Sequence, residues 1–373
     1  MKKIKLLPLL LIIPCQALLG QTDKLNWRLG GRLHFDGAGY ISSPDSLSHQ
    51  LDIVDLRLGG KFTMGDWYVN IDVSYSGNKV SVKDAFVQYS KFNNYFRAGH
   101  QYVFTGIEQA NSSNDLLLNA ISNTGAMLDN GRRLGFTYTR ALPSYYFTAG
   151  LFVGDDIHVR STVQQGYSTV ARGVWRPINK EFSLFHVGAS AYYKEPNQLK
   201  GTDIKNITFS NRGVTRAKGP DFHYLSINNA KNQVQLVSEL YGFQGKWMVQ
   251  GEYFWSRVNR VAMPAYKVHG GYLEAGYLIK GNHFGYDQVD AFPTLPTDRG
   301  SLLLVARYNS SHMNDHKADL YAGNQQDFSL GLDYFYNKYL STRLNYSYVK
   351  LDKYSTFGKQ DIHVIQCRLQ FRF

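Results

Sequence analysis

The chain runs to 373 residues, with 41 Lys and Arg against 29 Asp and Glu, a formal net charge of +12, and 27 Tyr and 22 Phe. Beyond the first twenty residues no stretch nears the roughly eighteen consecutive apolar residues of a membrane helix, the best run being Leu302 to Ala306, which excludes a helical membrane protein. Only Cys15 and Cys367 are present, and the first falls in an export segment, which excludes a disulfide-stapled fold.

In chain order, the first element is an export signal over residues 1–20. Lys2, Lys3 and Lys5 form its basic start, and Leu6 to Ile13 with Leu18 and Leu19 form its apolar stretch. Its removal leaves residues 21–373 as one domain with 38 basic and 29 acidic residues. Export without a disulfide suits a bacterial envelope.

The second element is a strand from Arg28 to Asp36. Leu29, Leu33 and Phe35 share one face, and Arg28, Arg32, His34 and Asp36 share the other. Asp55 to Phe62 repeats the scheme, with Arg57 and Lys61 opposite Leu56, Leu58 and Phe62. A tight turn at Met64-Gly65-Asp66 leads into Trp67 to Tyr75, where Trp67, Val69, Ile71, Val73 and Tyr75 alternate with polar residues. The period of two breaks over residues 104–130, a segment too long for a turn, in which Leu116, Leu117, Leu118, Ala120 and Ile121 predict a short helix. It resumes at Leu134, Phe136 and Tyr138, at Phe147, Ala149 and Leu151, and at Leu344, Tyr346 and Tyr348. The chain ends on its most regular alternation, with Ile365, Cys367, Leu369, Phe371 and Phe373 opposite Gln366, Arg368, Gln370 and Arg372.

Short turns are expected near Asn93, Pro143, Asn179, Gln244 and Asn337, with longer polar connections at 155–165, 194–204 and 309–317. Spans of about ten residues, short turns on one rim and long loops on the other describe an all-β, transmembrane antiparallel barrel. The expected count is sixteen strands, with eighteen as the alternative because pairing between 204 and 225 is ambiguous. A soluble sandwich also alternates. Outward aromatics such as Trp67, Tyr75, Tyr89, Tyr138, Phe371 and Phe373 speak for lipid instead.

Several stretches resemble the phosphate-selective porin O and P family. These are GRLHFDGAGY from Gly31, DLRLGGKF from Asp55, WYVNIDVSY from Trp67, VKDAFVQY from Val82 and FRAGHQYVFTGIEQ from Phe96. ARGVWRP and LFHVGASAYY follow from Ala171 and Leu184, then GKWMVQGEYFWSRV, GGYLEAGYLIKG, LLLVARYNSS and LGLDYFYNKYLSTRLNYSYV in the family's order. The resemblance implies a sixteen-stranded homotrimer in the outer membrane of a Gram-negative bacterium, surrounded by outer-membrane lipid and passing small anions such as phosphate by diffusion. It also implies that Phe373 is the assembly signal read by the barrel-assembly machinery. One departure stands out: the long loop carries Glu108, Asp115 and Asp129 but no Lys or Arg before Arg132. That argues for broad anion preference over a dedicated phosphate site.

With the apolar face against lipid, the opposite register collects Arg32, Arg57, Lys61, Arg97, Arg133, Arg172, Arg176, Arg307, Arg343 and Arg368. A guanidinium stays charged and offers several donors in one plane, so such residues are the expected anion-attracting lining of a pore. The alternative is that each stiffens the wall by pairing with a carboxylate, for which Asp36, Asp55, Asp72, Asp84, Glu239 and Glu252 are available. Residues 104–130 are expected to fold into the lumen as a constriction. No catalytic residue, cofactor, metal site or nucleic-acid partner is expected: His312 and His316 lack further ligands, and no P-loop, HExxH or GxSxG motif occurs. The competing functions are a general, weakly selective porin and a non-conducting anchoring or adhesion barrel.

Overall fold

In lipid an unpaired backbone amide is costly, so alternating strands are stable there only if their edges close. The computed structural model, which describes residues 24–41, 47–76, 79–153, 162–199, 204–217, 219–296 and 298–373, closes them. The expected export signal lies outside these residues. Sixteen antiparallel strands form one barrel, each paired with its neighbour in sequence and the last with the first. They are β1 (Asn26–Ile41), β2 (Gln50–Met64), β3 (Trp67–Ser76), β4 (Lys79–Lys91), β5 (Asn94–Tyr102), β6 (Arg132–Ala141), β7 (Tyr145–Val153) and β8 (Tyr167–Lys180). The circuit continues through β9 (Ser183–Glu195), β10 (Ala230–Gln244), β11 (Trp247–Arg260), β12 (Met263–Lys280), β13 (Ser301–His312), β14 (Gln325–Phe335), β15 (Leu340–Leu351) and β16 (Gln360–Arg372). At the seam Arg32 stands opposite Arg372, and Gly31 and Phe373 exchange two backbone hydrogen bonds of 3.1 Å.

The two faces of β16 show why the register is fixed. Ile365, Leu369 and Phe371 are 43–47% exposed on the outside, while Gln366, Arg368 and Gln370 are at most 2% exposed within. A one-residue slip would put an arginine in lipid and a phenylalanine in the lumen. Aromatic rings gather at both ends of the outer face, as membrane interfaces favour. Trp67 with Tyr89 and Trp247 with Tyr277 mark the turn rim, and Tyr253 and Tyr308 mark the loop rim. Gly65 and Gly245 supply the positive φ (55° and 54°) that two-residue turns require.

The segment between 204 and 225, where the strand count was open, adds no wall strand. Its Ile207–Asn211 and His223–Ile227 form a separate two-stranded hairpin. Two expectations shift. Leu116, Leu117 and Leu118 are buried without helix, and the short helix α1 lies later, at Asn123–Met127, capped by Ser122 accepting from the Gly125 N–H at 3.1 Å. A side-chain oxygen at the cap decides that start, whereas three leucines in a row match no single helical face. Asn309 belongs to β13, which runs on to His312. One connection also departs from the division of rims: residues 281–300 join β12 to β13 on the turn side yet turn inward.

Candidate functional site

Two inward-folded segments decide how much of the lumen stays open. A buried loop carries backbone groups that no ladder satisfies, so it needs donors and acceptors from the wall. For residues 103–131 those donors are arginines. Arg343 on β15 donates to the Asn114 carbonyl at 2.9 Å and to that of Leu116; Arg368 on β16 donates to Asn119 O at 2.8 Å; Arg307 on β13 donates to Ala120 O at 3.1 Å. Glu252 on β11 meets the opposite need, accepting the N–H groups of Ile107 at 2.6 Å and Glu108 at 3.0 Å. The turn-side segment is held the same way from β8. Arg172 donates to Ala291 O at 2.9 Å and Arg176 to Gln288 O at 3.1 Å. The two segments then meet: Asn111 donates to Pro293 O at 3.1 Å. Phe104, Leu117 and Leu118 share a buried cluster with Phe284, Phe292, Leu295, Tyr241 and Leu303.

What remains is a cavity of about 990 Å³ against β1–β5, lined by Arg28, Arg32, Arg57, Lys61, Arg97, Arg132, Arg372 and, from the 204–229 connection, Arg216. Tyr68, Phe86, Tyr102 and Phe104 supply aromatic surface, and Asn111, Ser112, Ser113 and Asn114 form the loop's polar side. Nine basic residues, including Lys338, face seven acidic ones: Asp72, Asp84, Glu108, Asp115, Asp129, Asp287 and Asp290. Most are paired at once. Asp55 takes Arg57 at 2.8 Å, Arg32 at 3.1 Å and Arg216 at 3.6 Å. Asp84 holds Arg132 at 2.9 Å, Asp290 faces Arg97 at 3.5 Å, and Asp115 faces Arg372 at 3.6 Å. Arg28 and Lys61, directly opposed across β1 and β2, make no ion pair among the described residues, and neither does Lys338 at the same rim.

The ten basic residues expected along the wall thus separate. Arg32, Arg57, Lys61 and Arg97 line the cavity. Arg172, Arg176, Arg307, Arg343 and Arg368 are at most 2% exposed, and Arg133 is 9% exposed; none of these six faces the cavity. Four of the buried ones sit against carboxylates: Arg172 on Glu239 and Arg307 on Glu108 at 2.9 Å, Arg343 on Asp333 at 3.3 Å, and Arg368 on Asp36 at 2.7 Å. A guanidinium suits this position because one fork can serve a carboxylate and a loop carbonyl together. The loop acids divide too. Glu108 anchors the loop, accepting from Arg307 and from the Ser122 N–H at 2.7 Å; burial raises its carboxyl above the ordinary value against the pull of Arg307. Asp115 faces the cavity, and burial raises it likewise against Arg372. Asp129 accepts from Tyr102 at 2.8 Å and caps the Gly131 N–H at 2.9 Å.

Arg216 and the inward turn of 281–300 were not legible as parts of the lumen. The signal for the latter was present in Phe284, Tyr286, Phe292 and Leu295, too apolar a set for an exposed connection.

A curated relative, an uncharacterized protein of Caulobacter vibrioides, is 24% identical over 332 residues covering 81% of this chain, and the chain spans 64% of that relative's length. Among solved structures, the trimer form of in-vitro folded OmpT of Vibrio cholerae is similar with a TM-score of 0.60 at 11% identity, covering 94% of this chain and 100% of that one. The anion-selective porin from Comamonas acidovorans is similar with a TM-score of 0.59 at 11% identity, again covering 94% and 100%. At these identities the likeness is one of fold, and it is the fold of channels in the Gram-negative outer membrane. The family model of phosphate-selective porin O and P matches residues 28–373. A closed sixteen-stranded barrel, an apolar outside and a charged cavity inside accord with that match, and the chain belongs to the phosphate-selective porin O and P family of outer-membrane channels.

Proposed function

We propose that the channel passes small anions by diffusion along the cavity on the β1–β5 side, with residues 104–130 as its constriction. The observation that carries this is the turn-side mouth, where Arg28, Lys61 and Lys338 stand without carboxylate partners among the described residues. At about 8 Å in water each such charge is worth about 0.5 kcal/mol to an anion. Salt screens it further over a length of about 10 Å at 0.1 M. The preference is therefore modest, a permeability ratio of a few to one, and phosphate is one cargo among several. Residues 104–130 offer no cation, and Arg32 and Arg57 are already engaged by Asp55. The fold and family are those of a channel rather than an enzyme.

The test is the reversal potential of the purified channel in planar bilayers under a KCl gradient. Anion preference is expected, and the triple variant Arg28→Gln, Lys61→Gln, Lys338→Gln should abolish most of it. Cation preference in the unaltered channel overturns the reading, and no conductance from a folded barrel favours the anchoring alternative. Millimolar phosphate should leave the chloride current unblocked. We also propose a homotrimer, supported by the trimer form of the Vibrio cholerae neighbour. Chemical crosslinking in outer-membrane vesicles should give three bands.

A further inference from the structure

The outer face of β11–β13 carries charge where a lipid-facing wall should carry none. Arg257 and Lys267 are directly opposed across β11 and β12, both exposed on the same outward register as Tyr253 and Leu273. One step nearer the membrane, Trp255 pairs with His269, which in turn faces His312 on β13 with ring centroids 4.8 Å apart. Like charges directly opposite each other destabilise a sheet. Here no carboxylate relieves them among the described residues. Among the described residues Arg257 uses only its Nε, donating to Asn259 Oδ1 at 2.8 Å. Asp315 takes the backbone N–H of Lys267, at 2.8 Å, without pairing with its ammonium.

Depth makes the pair meaningful. From Trp255 on the loop rim to Trp247 on the turn rim is eight residues, about 26 Å along the strand and about 20 Å after a tilt of about 40°. Trp255, Tyr253 and Tyr308 thus form the loop-side aromatic belt, and Arg257 and Lys267 stand just beyond it, at headgroup level. The free guanidinium nitrogens, an ammonium and two imidazoles converge on one patch that needs an anion.

We infer that this patch binds the phosphate-bearing headgroup of an outer-leaflet glycolipid. A phosphomonoester accepts from the Arg257 fork and the Lys267 ammonium together, and the acyl chains lie along Tyr253, Leu273 and Tyr308 below. This surface is separate from the passage and does not depend on what the channel conducts.

The test uses the full-length protein in detergent with purified bisphosphorylated lipid A, read by native mass spectrometry. Saturable binding is expected. Lipid stripped of its phosphates should bind the unaltered protein roughly thirtyfold more weakly, about fivefold for each cation engaged. Arg257→Gln with Lys267→Gln should give the same loss while conductance stays unchanged, because neither residue touches the passage. Equal binding of intact and stripped lipid overturns the inference without recourse to any variant. So does an unchanged affinity in the double variant. Displacement of the lipid by an equal concentration of inorganic phosphate overturns it too, since the patch is then a simple anion site.

Discussion

Arg368→Met tests whether the buried arginines are clamps. In the native barrel Arg368 donates from Nε and Nη2 to the two oxygens of Asp36 at 2.7 Å each, joining the last strand to the first. It also donates to the Asn119 carbonyl at 2.8 Å, which holds the inserted loop. Asp36 is 2% exposed, so removing the guanidinium leaves a carboxylate stranded at the seam. Breaking a buried pair from one side costs about 3–5 kcal/mol. The bond to Asn119 is a further charge-assisted one, about 1.5–3 kcal/mol on its own and partly counted in the first figure. Reversible urea unfolding in lipid vesicles should therefore show a loss of about 4 kcal/mol. Adding Asp36→Asn should restore about half, since the stranded charge is gone while the loop bond stays lost. A loss under about 1 kcal/mol, or no recovery in the double variant, would refute the clamp and return Arg368 to the solvent-facing wall.

Three other outcomes are expected. Arg307→Met frees Glu108 and the Ala120 carbonyl, so single-channel records should show frequent loop-driven closures, reduced again by adding Glu108→Gln; quiet traces in the single variant contradict the anchoring role. Deleting residues 284–295 removes the inserted carbonyls, Ala291 O and Gln288 O, that Arg172 and Arg176 hold, so conductance should rise and anion preference with it. An unchanged conductance would mean that this segment does not limit the lumen. Phe373→Ala keeps the backbone bonds to Gly31 but loses the ring beside Phe371, 5.9 Å away, so assembled yield in cells should fall while the folded barrel's stability moves by less than about 1 kcal/mol; equal yield argues against an assembly signal.

The barrel was legible because a period of two is a local property. Trp67 to Tyr75 or Ile365 to Phe373 declares its two faces whatever the neighbours do, and a register slip would reverse them. The inward register of the arginines was legible for the same reason. Which of them faces water was not. Arg57 and Arg343 occupy equivalent inward positions on their strands, yet one lines the cavity and the other lies under Asn114 and Leu116. The difference comes from loop residues distant in sequence that return across the lumen. Arg216 was invisible for that reason, and the apolar Phe284, Phe292 and Leu295 of the 281–300 insert signal burial without stating where the chain comes back.

The sequence by itself determined the closed wall, its lipid face and the inward register of its arginines, because alternation and composition act through neighbours two residues apart. Only the tertiary structure decided which inward cations stay wet. That depends on two buried segments whose carbonyls had to find donors, and the arginines of β8, β13, β15 and β16 were within reach.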